Sequence, residues 1–236
     1  MTTSTNDQAT ISDPHAVPHG HQASLETGLA FINTLELEKG SLVDHLDAPI
    51  VALDWLITHD LMHREAMISL VDRVEAEPEY GAKLLSRIRK VRAAMRELVD
   101  ASVEHRAPSF SALDEVNRAL RTHYVTILVP SSDGVHMGHK HEGDPIDGAL
   151  GRLTESVARY LGEGKTERLR ICANETCHWA FFDSSRTAKR KWCDMTTCGN
   201  RAKAARHRER QKVAAAPAQA ALLGTDATMA GMISPA

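Results

Sequence analysis

The stretch Arg170–Arg201, "RICANETCHWAFFDSSRTAKRKWCDMTTCGNR", decides how this chain is read. It holds Cys172, Cys177, Cys193 and Cys198, the only four cysteines among 236 residues. Their spacing is C-x4-C-x15-C-x4-C. Two close pairs joined by a short span suit a structural zinc site, because each pair clamps one side of a tetrahedron. A closed shell of four thiolates leaves no open position for a catalytic water, so the expected role is structural, with one Zn2+ per chain. Four unlinked core thiols are the plainer alternative. His178 and His207 lie near enough in sequence to be ligands, but four cysteines already complete the shell.

A segment of under about 50 residues buries too little to fold securely alone, so metal would supply the missing free energy. Between the pairs, Trp179, Phe181, Phe182 and Trp192 are expected to pack around the metal. An exposed Trp179 or Trp192 would offer a base-stacking face. "SSRTAKRK" follows as a basic loop with Arg186, Lys189, Arg190 and Lys191. A helix is predicted from about Asp194–Thr196 to Lys212, with Arg201, Lys203, Arg206, Arg208 and Arg210 on several faces. Gly199 beside a ligand lets backbone approach closely.

Charge is split along the chain. Residues 165–212 hold 13 Lys or Arg against 5 Asp or Glu, a net of +8. The remainder holds 15 against 26, a net of -11. A basic module on an acidic body points to a polyanion partner for that module alone. Duplex DNA is the favoured partner. An RNA-binding or protein-interaction adaptor is the alternative.

Upstream, the pattern is mostly helical. Asp47 suits an N-cap ahead of "APIVALDWLI", with Pro49 in the first turn. A helix over about 63–76 stops near Pro78. The next carries Leu84, Ile88, Val91, Met95, Leu98 and Ser102 on one face and ends before Pro108. Ser111 is expected to cap a short helix bearing Leu113, Val116 and Leu120. Tyr124–Val129 favours strand, and Ser132, Asp133 and Gly134 supply a turn, so a β-hairpin is predicted. "LAFINTL" reads as a third strand for it. Ile146, Leu150, Leu153, Val157 and Leu161 mark another helix, and Gly162 and Gly164 a hinge to the cysteine module.

The resulting fold class is α+β: an α-rich N-terminal domain with a small β-hairpin, then a four-cysteine finger. The domain reading is a disordered tail over 1–24, a body over 25–165, a finger over 166–212 and a disordered Ala-rich tail over 213–236. Body and finger are expected to have separate cores. No signal peptide or membrane span is visible, and clustered cysteines suit a reducing compartment, so a cytoplasmic protein is expected. No nucleophile–base pair or phosphate loop is visible in the body, so no enzyme activity is expected. His136, His139 and His141 on the hairpin are a weaker metal candidate. Lys83, Arg87, Lys90 and Arg96 read as a solvated helix face.

"CGNR" at Cys198–Arg201, with "FFDSSR" and "RKWCDM" before it and "AKAARHRER" after it, resembles the CGNR zinc finger family. The body, with "FINTLEL" and "VTILVPSSDGVHM", resembles the ABATE domain of bacterial stress-induced transcription regulators. The resemblance implies a treble-clef-like finger, DNA binding, transcriptional control and a ligand-sensing role proposed for the N-terminal domain. One small finger offers limited contact area, so a homodimer through the body is expected.

Overall fold

The computed structural model describes residues 16–18, 23–38, 40–62, 64–122, 124–131, 134–164 and 166–224. The turn residues Ser132 and Asp133 and most of the first expected tail lie outside them. So do residues 225–236 of the second.

In chain order the elements begin with β1 (Ala16–Pro18), α1 (Leu25–Ile32), β2 (Leu35–Glu38) and β3 (Ser41–Asp44). Four helices follow: α2 (Pro49–Thr58), α3 (Arg64–Ala76), α4 (Pro78–Val103) and α5 (Phe110–Ala119). Then come β4 (Tyr124–Ser131), β5 (Gly134–His141) and α6 (Pro145–Gly162). The cysteine region holds β6 (Leu169–Ile171), β7 (Ala180–Phe182), a π-helical turn (Met195–Gly199) and α7 (Asn200–Gly224). The fold class is α+β, as expected: helices around a main core, with, among the described residues, three small antiparallel sheets ordered β1-β5-β4, β2-β3 and β6-β7.

The 26-residue α4 is the centre of the core. Its predicted stripe is buried at Leu84, Ile88, Val91, Met95 and Leu98, and Leu85 and Val99 widen it. The helix packs against α5 most extensively, and also against α1, α2, α3, α6 and β6. α6 starts as its sequence prescribes. The Asp144 carboxylate accepts from the Ile146 N–H at 2.9 Å and Pro145 takes the first turn. Gly164, with φ of +71°, then stops it in the left-handed conformation that glycine adopts without a Cβ clash. Gly28 on α1 lets that helix sit close on α6, where a Cβ would overlap Ser156 and Val157.

Several expectations change. "LAFI" belongs to α1, not to a strand. Ser24 caps that helix by accepting from the Thr27 N–H at 3.1 Å, and Leu29, Phe31 and Ile32 face the core at helical spacing. Leu35–Glu38 does form a strand, but it pairs with β3 rather than with the β4–β5 hairpin. The third strand of the hairpin sheet is β1, inside the stretch expected to be a tail. Asp47 caps nothing in α2: Pro49 is already the first helical residue, which makes Ala48 the cap. Ser109, not Ser111, caps α5, accepting from the Ala112 N–H at 3.3 Å. α7 continues to Gly224, beyond Lys212. The cores are only partly separate: Cys172, Phe181 and Cys198 form a small cluster of their own. Leu169 and Ala180, flanking the first cysteine pair, lie in the same hydrophobic cluster as Ile88, Met95 and Leu150.

Among the described residues of the body, one charged side chain is buried. Arg92 of α4 is 3% exposed and forks onto Asp44, Nη1 to Oδ1 at 2.6 Å and Nη2 to Oδ2 at 2.8 Å. It also donates to Thr34 Oγ1 at 2.9 Å. Burial alone would raise the Asp44 carboxyl. Arg92, the Leu46 N–H and Arg89 outweigh it and hold Asp44 below its ordinary 3.8. The stability this gives is complete above the unfolded value and is lost as pH falls through the lower folded one. Arg92→Ala should cost about 3 kcal/mol in urea unfolding, since it removes the buried, two-pronged partner of Asp44 and leaves only the Leu46 N–H and the more exposed Arg89. Asp44→Asn should remove part of the stability loss below about pH 4. Arg96→Ala, which breaks only the half-exposed pair with Asp100, should cost about 0.5 kcal/mol or less. Equal losses at Arg92 and Arg96 would contradict this assignment.

Candidate metal centre and basic surface

β6 and β7 pair Leu169 with Phe182, Arg170 with Phe181 and Ile171 with Ala180. The ladder ends with the Cys172 N–H donating to the Trp179 carbonyl at 2.8 Å, which sets Cys172 at the mouth of the connecting turn. Asn174 shapes that turn. Its carbonyl accepts from the Cys177 N–H at 2.8 Å, its side-chain oxygen from the Thr176 N–H at 3.2 Å. His178 follows with φ of +57° and is exposed.

The second pair rests on Asp194. Its Oδ1 accepts from Thr196 Oγ1 at 2.6 Å, Thr197 N–H at 2.7 Å and Thr197 Oγ1 at 2.9 Å. These bonds, the one from Thr196 foremost, hold the carboxyl down at about 2. The π-helical turn they start carries Cys198 inward. Gly199 fits there because a Cβ would press on Met195 at 3.0 Å.

The sulfurs of Cys172, Cys177, Cys193 and Cys198 all lie within 4.8 Å of one another. Cys193 Sγ is 3.7 Å from both Cys177 Sγ and Cys198 Sγ. A tetrahedral zinc with bonds of about 2.3 Å needs sulfurs about 3.8 Å apart, so the donor set fits that ion. Burial pushes the Cys177 thiol up to about 11, and pushes Cys193 up as well, with neighbouring Cys172 adding to it. Cys198 is also penalised by burial, but Asn174 Nδ2, donating to its sulfur at 3.4 Å, helps bring it below the ordinary thiol value. Four thiolates in this volume need a cation among them. Neither His178 nor His207 joins the cluster among the described residues.

The aromatics divide between two tasks. Phe181 and Trp192 pack with the cysteines, as expected. Phe182 instead meets Tyr160 of α6 edge-on, centroids 5.7 Å apart. Trp179 donates its indole N–H to Glu36 of β2, so its ring edge is tied to the body. The expectation that all four surround the metal is therefore corrected: two of them secure the hairpin to the body, Phe182 at α6 and Trp179 at β2.

Arg186, Lys189, Lys191, Arg201, Lys203, Arg206, Arg208 and Arg210 are exposed. Arg190 is not equivalent to them. It is half-buried, its guanidinium 5.3 Å from the Phe181 ring centroid and bonded to the Cys193 carbonyl. The loop that carries the first of these cations is held from inside by Asp183, which is fully buried. Its carboxylate accepts from the Ser185 N–H at 3.0 Å and the Arg190 N–H at 2.7 Å. Arg168 adds bonds to the Asp183 and Ser185 carbonyls, both 2.9 Å. Sequence reasoning missed Asp183 and Asn174; Asp194 it placed at the start of the helix without its capping role, which the two threonines at N-cap spacing signal.

The other candidates come out differently. Lys83 pairs with Glu79, Arg87 with Asp144 and Asp147, and Arg96 with Asp100, while Lys90 is exposed, so three of the four cations of that helix side are ion-paired. On β5, His141 packs against Gly148 of α6, while the side chains of His136 and His139 lie outside the described set. No helix among the described residues is long and apolar enough to cross a membrane.

A family model described as "CGNR zinc finger" matches residues 168–211. A second, ABATE, described as "Putative stress-induced transcription regulator", matches residues 25–164. No curated protein matches the chain. The two matches fall in the order that the four-cysteine cluster and the helical body take in the fold, and the chain belongs to the ABATE family, with a CGNR zinc finger following its ABATE region.

Proposed function

We propose that the chain is a DNA-binding transcription regulator whose finger holds one structural Zn2+ on Cys172, Cys177, Cys193 and Cys198. The observation that carries this reading is the exposed cationic row on α7, rooted directly in the four-sulfur cluster. Cys198 lies in the turn that leads into the helix, and Arg201, Lys203, Arg206, Arg208 and Arg210 follow it into solvent. Lys and Arg that replace condensed counterions on phosphate supply most non-specific DNA affinity. Arg186, Lys189 and Lys191, on the loop braced by Asp183, add a second cationic edge.

In this reading the metal supplies cohesion and no chemistry. The zinc charge offsets the four thiolates, and the protein's own groups fix the turns on either side of it. Two chains join through the acidic body, so that two fingers reach the duplex, and a small ligand of the ABATE region sets the activity. The whole acts in the cytoplasm, and no catalytic step is assigned.

Metal analysis should find one zinc per chain, and Cys198→Ser should lose it. Stoichiometric zinc retained in Cys198→Ser would contradict the ligand set. With about five phosphate contacts, the slope of log affinity against log salt should be near about -4.5. Raising salt from about 50 to about 200 mM should then weaken duplex binding a few hundred-fold, a change of roughly that slope. Arg206→Ala with Arg210→Ala should lower affinity and flatten the slope by up to about two phosphate units, while Lys83→Ala should change little. Sedimentation of the complex should show two chains per duplex. Wild-type affinity and slope in the zinc-loaded double variant would contradict α7 as the contact element. Preference for structured RNA would favour the adaptor reading, and one chain per duplex would remove the dimer.

A further inference from the structure

The two cysteine pairs are anchored to different things. Cys172 and Cys177 sit on a hairpin embedded in the body, for Leu169 and Ala180 are each 1% exposed in the core that α4 organises. Cys193 and Cys198 lead into α7, whose main packing neighbour is the π-helical turn itself.

Asn33 joins the hairpin to α1. Its backbone N–H ends that helix on the Leu29 carbonyl at 3.0 Å. Its side-chain Nδ2 donates to the Ala180 carbonyl at 2.8 Å, and its Oδ1 accepts from the Ala180 N–H at 2.9 Å. One amide thus satisfies both backbone groups of one strand residue, on the edge of β7 away from β6. It does the work of a neighbouring strand, and it does so buried, at 8% exposure.

The following residues extend the connection. Thr34 donates to the Phe31 carbonyl at 2.7 Å and accepts from the buried Arg92 at 2.9 Å. Glu36 uses one oxygen for the Trp179 indole and the other for His45 Nε2 at 2.6 Å. Residues 33–36 therefore link a buried arginine on α4 to Trp179 and Ala180, which lie directly after Cys177 and His178.

We propose that Asn33, with Glu36, is a positioning residue of the finger: a latch through which metal binding at the four cysteines stabilises the N-terminal domain. A metal that fixes Cys172 and Cys177 also fixes the Trp179–Ala180 backbone, and Ala180 holds the side chain of Asn33, the residue whose N–H ends α1. The coupling is reciprocal, since a binding free energy felt at one site is returned to the other. A change at the α1–β2 junction therefore alters metal affinity and the direction in which α7 leaves the body. The proposal rests on the metal reading and is independent of DNA.

Hydrogen exchange read by mass spectrometry on the full chain tests it, with zinc and after chelation. In the wild-type chain, chelation should lower protection of the Leu25–Ile32 amides by about tenfold or more, the scale of losing one buried hydrogen bond. Asn33→Ala should lower zinc-loaded protection and shrink the chelation response to about twofold or less, since its two bonds are the direct path. Glu36→Ala, at a partly exposed site, should shrink it in part. A chain that takes up no zinc overturns this proposal together with the metal reading. A chain that takes up one zinc per copy and shows equal α1 protection with and without chelator overturns the latch alone. A full wild-type response in Glu36→Ala together with any folded Asn33→Ala also overturns it.

Discussion

Leu169 and Ala180 lie in the helical core while their neighbours in sequence hold the cysteines, and this sharing is the constraint on which the rest depends. Two three-residue strands cannot bury enough apolar surface to hold themselves together. The cysteine region solves this from both sides. Its first half borrows the core of α1, α4 and α6, and its second half is drawn to the first by the sulfur cluster. The result fixes where a basic helix begins. Without the shared core, a metal-closed finger would hang from the body by a flexible connection, and its cationic row would have no defined direction.

Polar groups carry the precision of this arrangement. Buried carboxylates and guanidinia are costly unless paired, and here each pairing also sets a backbone position. Arg92 neutralises Asp44 and holds Thr34, whose hydroxyl donates to the Phe31 carbonyl in the last turn of α1. Asn33 completes β7. Asp183 shapes the loop of Arg186 and Lys189, and Asp194 starts the turn that delivers Cys198. The acidic character of the body is partly spent in the same way: Asp144 and Asp147 meet Arg87, and Glu97 meets Arg106.

What the sequence made legible is what has local periodicity or local spacing. The stripe of Leu84, Ile88, Val91, Met95 and Leu98 could be read because a long helix repeats its signal many times. The four cysteines could be read because tetrahedral ligation restricts spacing. The β4–β5 hairpin had both strand propensity and a turn. "LAFI" failed because four apolar residues fit a strand or a helix equally, and the deciding cap, Ser24, lies outside the run. Ser111 and Ser109 both suit a cap by residue type, and only the start of the helix at Phe110 separates them. Asn33 had no signal at all. Its partner is 147 residues away and is a backbone, which no residue pattern records. Trp179 looked like part of a metal shell for the same reason: the Glu36 that claims its indole is remote in sequence.

The central claim is that the ABATE region and the finger fold as one unit around a shared core. Calorimetric unfolding of the zinc-loaded full chain tests it most directly. The account predicts a single transition in which the calorimetric and van't Hoff enthalpies agree. Two resolved transitions, one abolished by chelation and the other unmoved by it, would show independent modules and contradict the account.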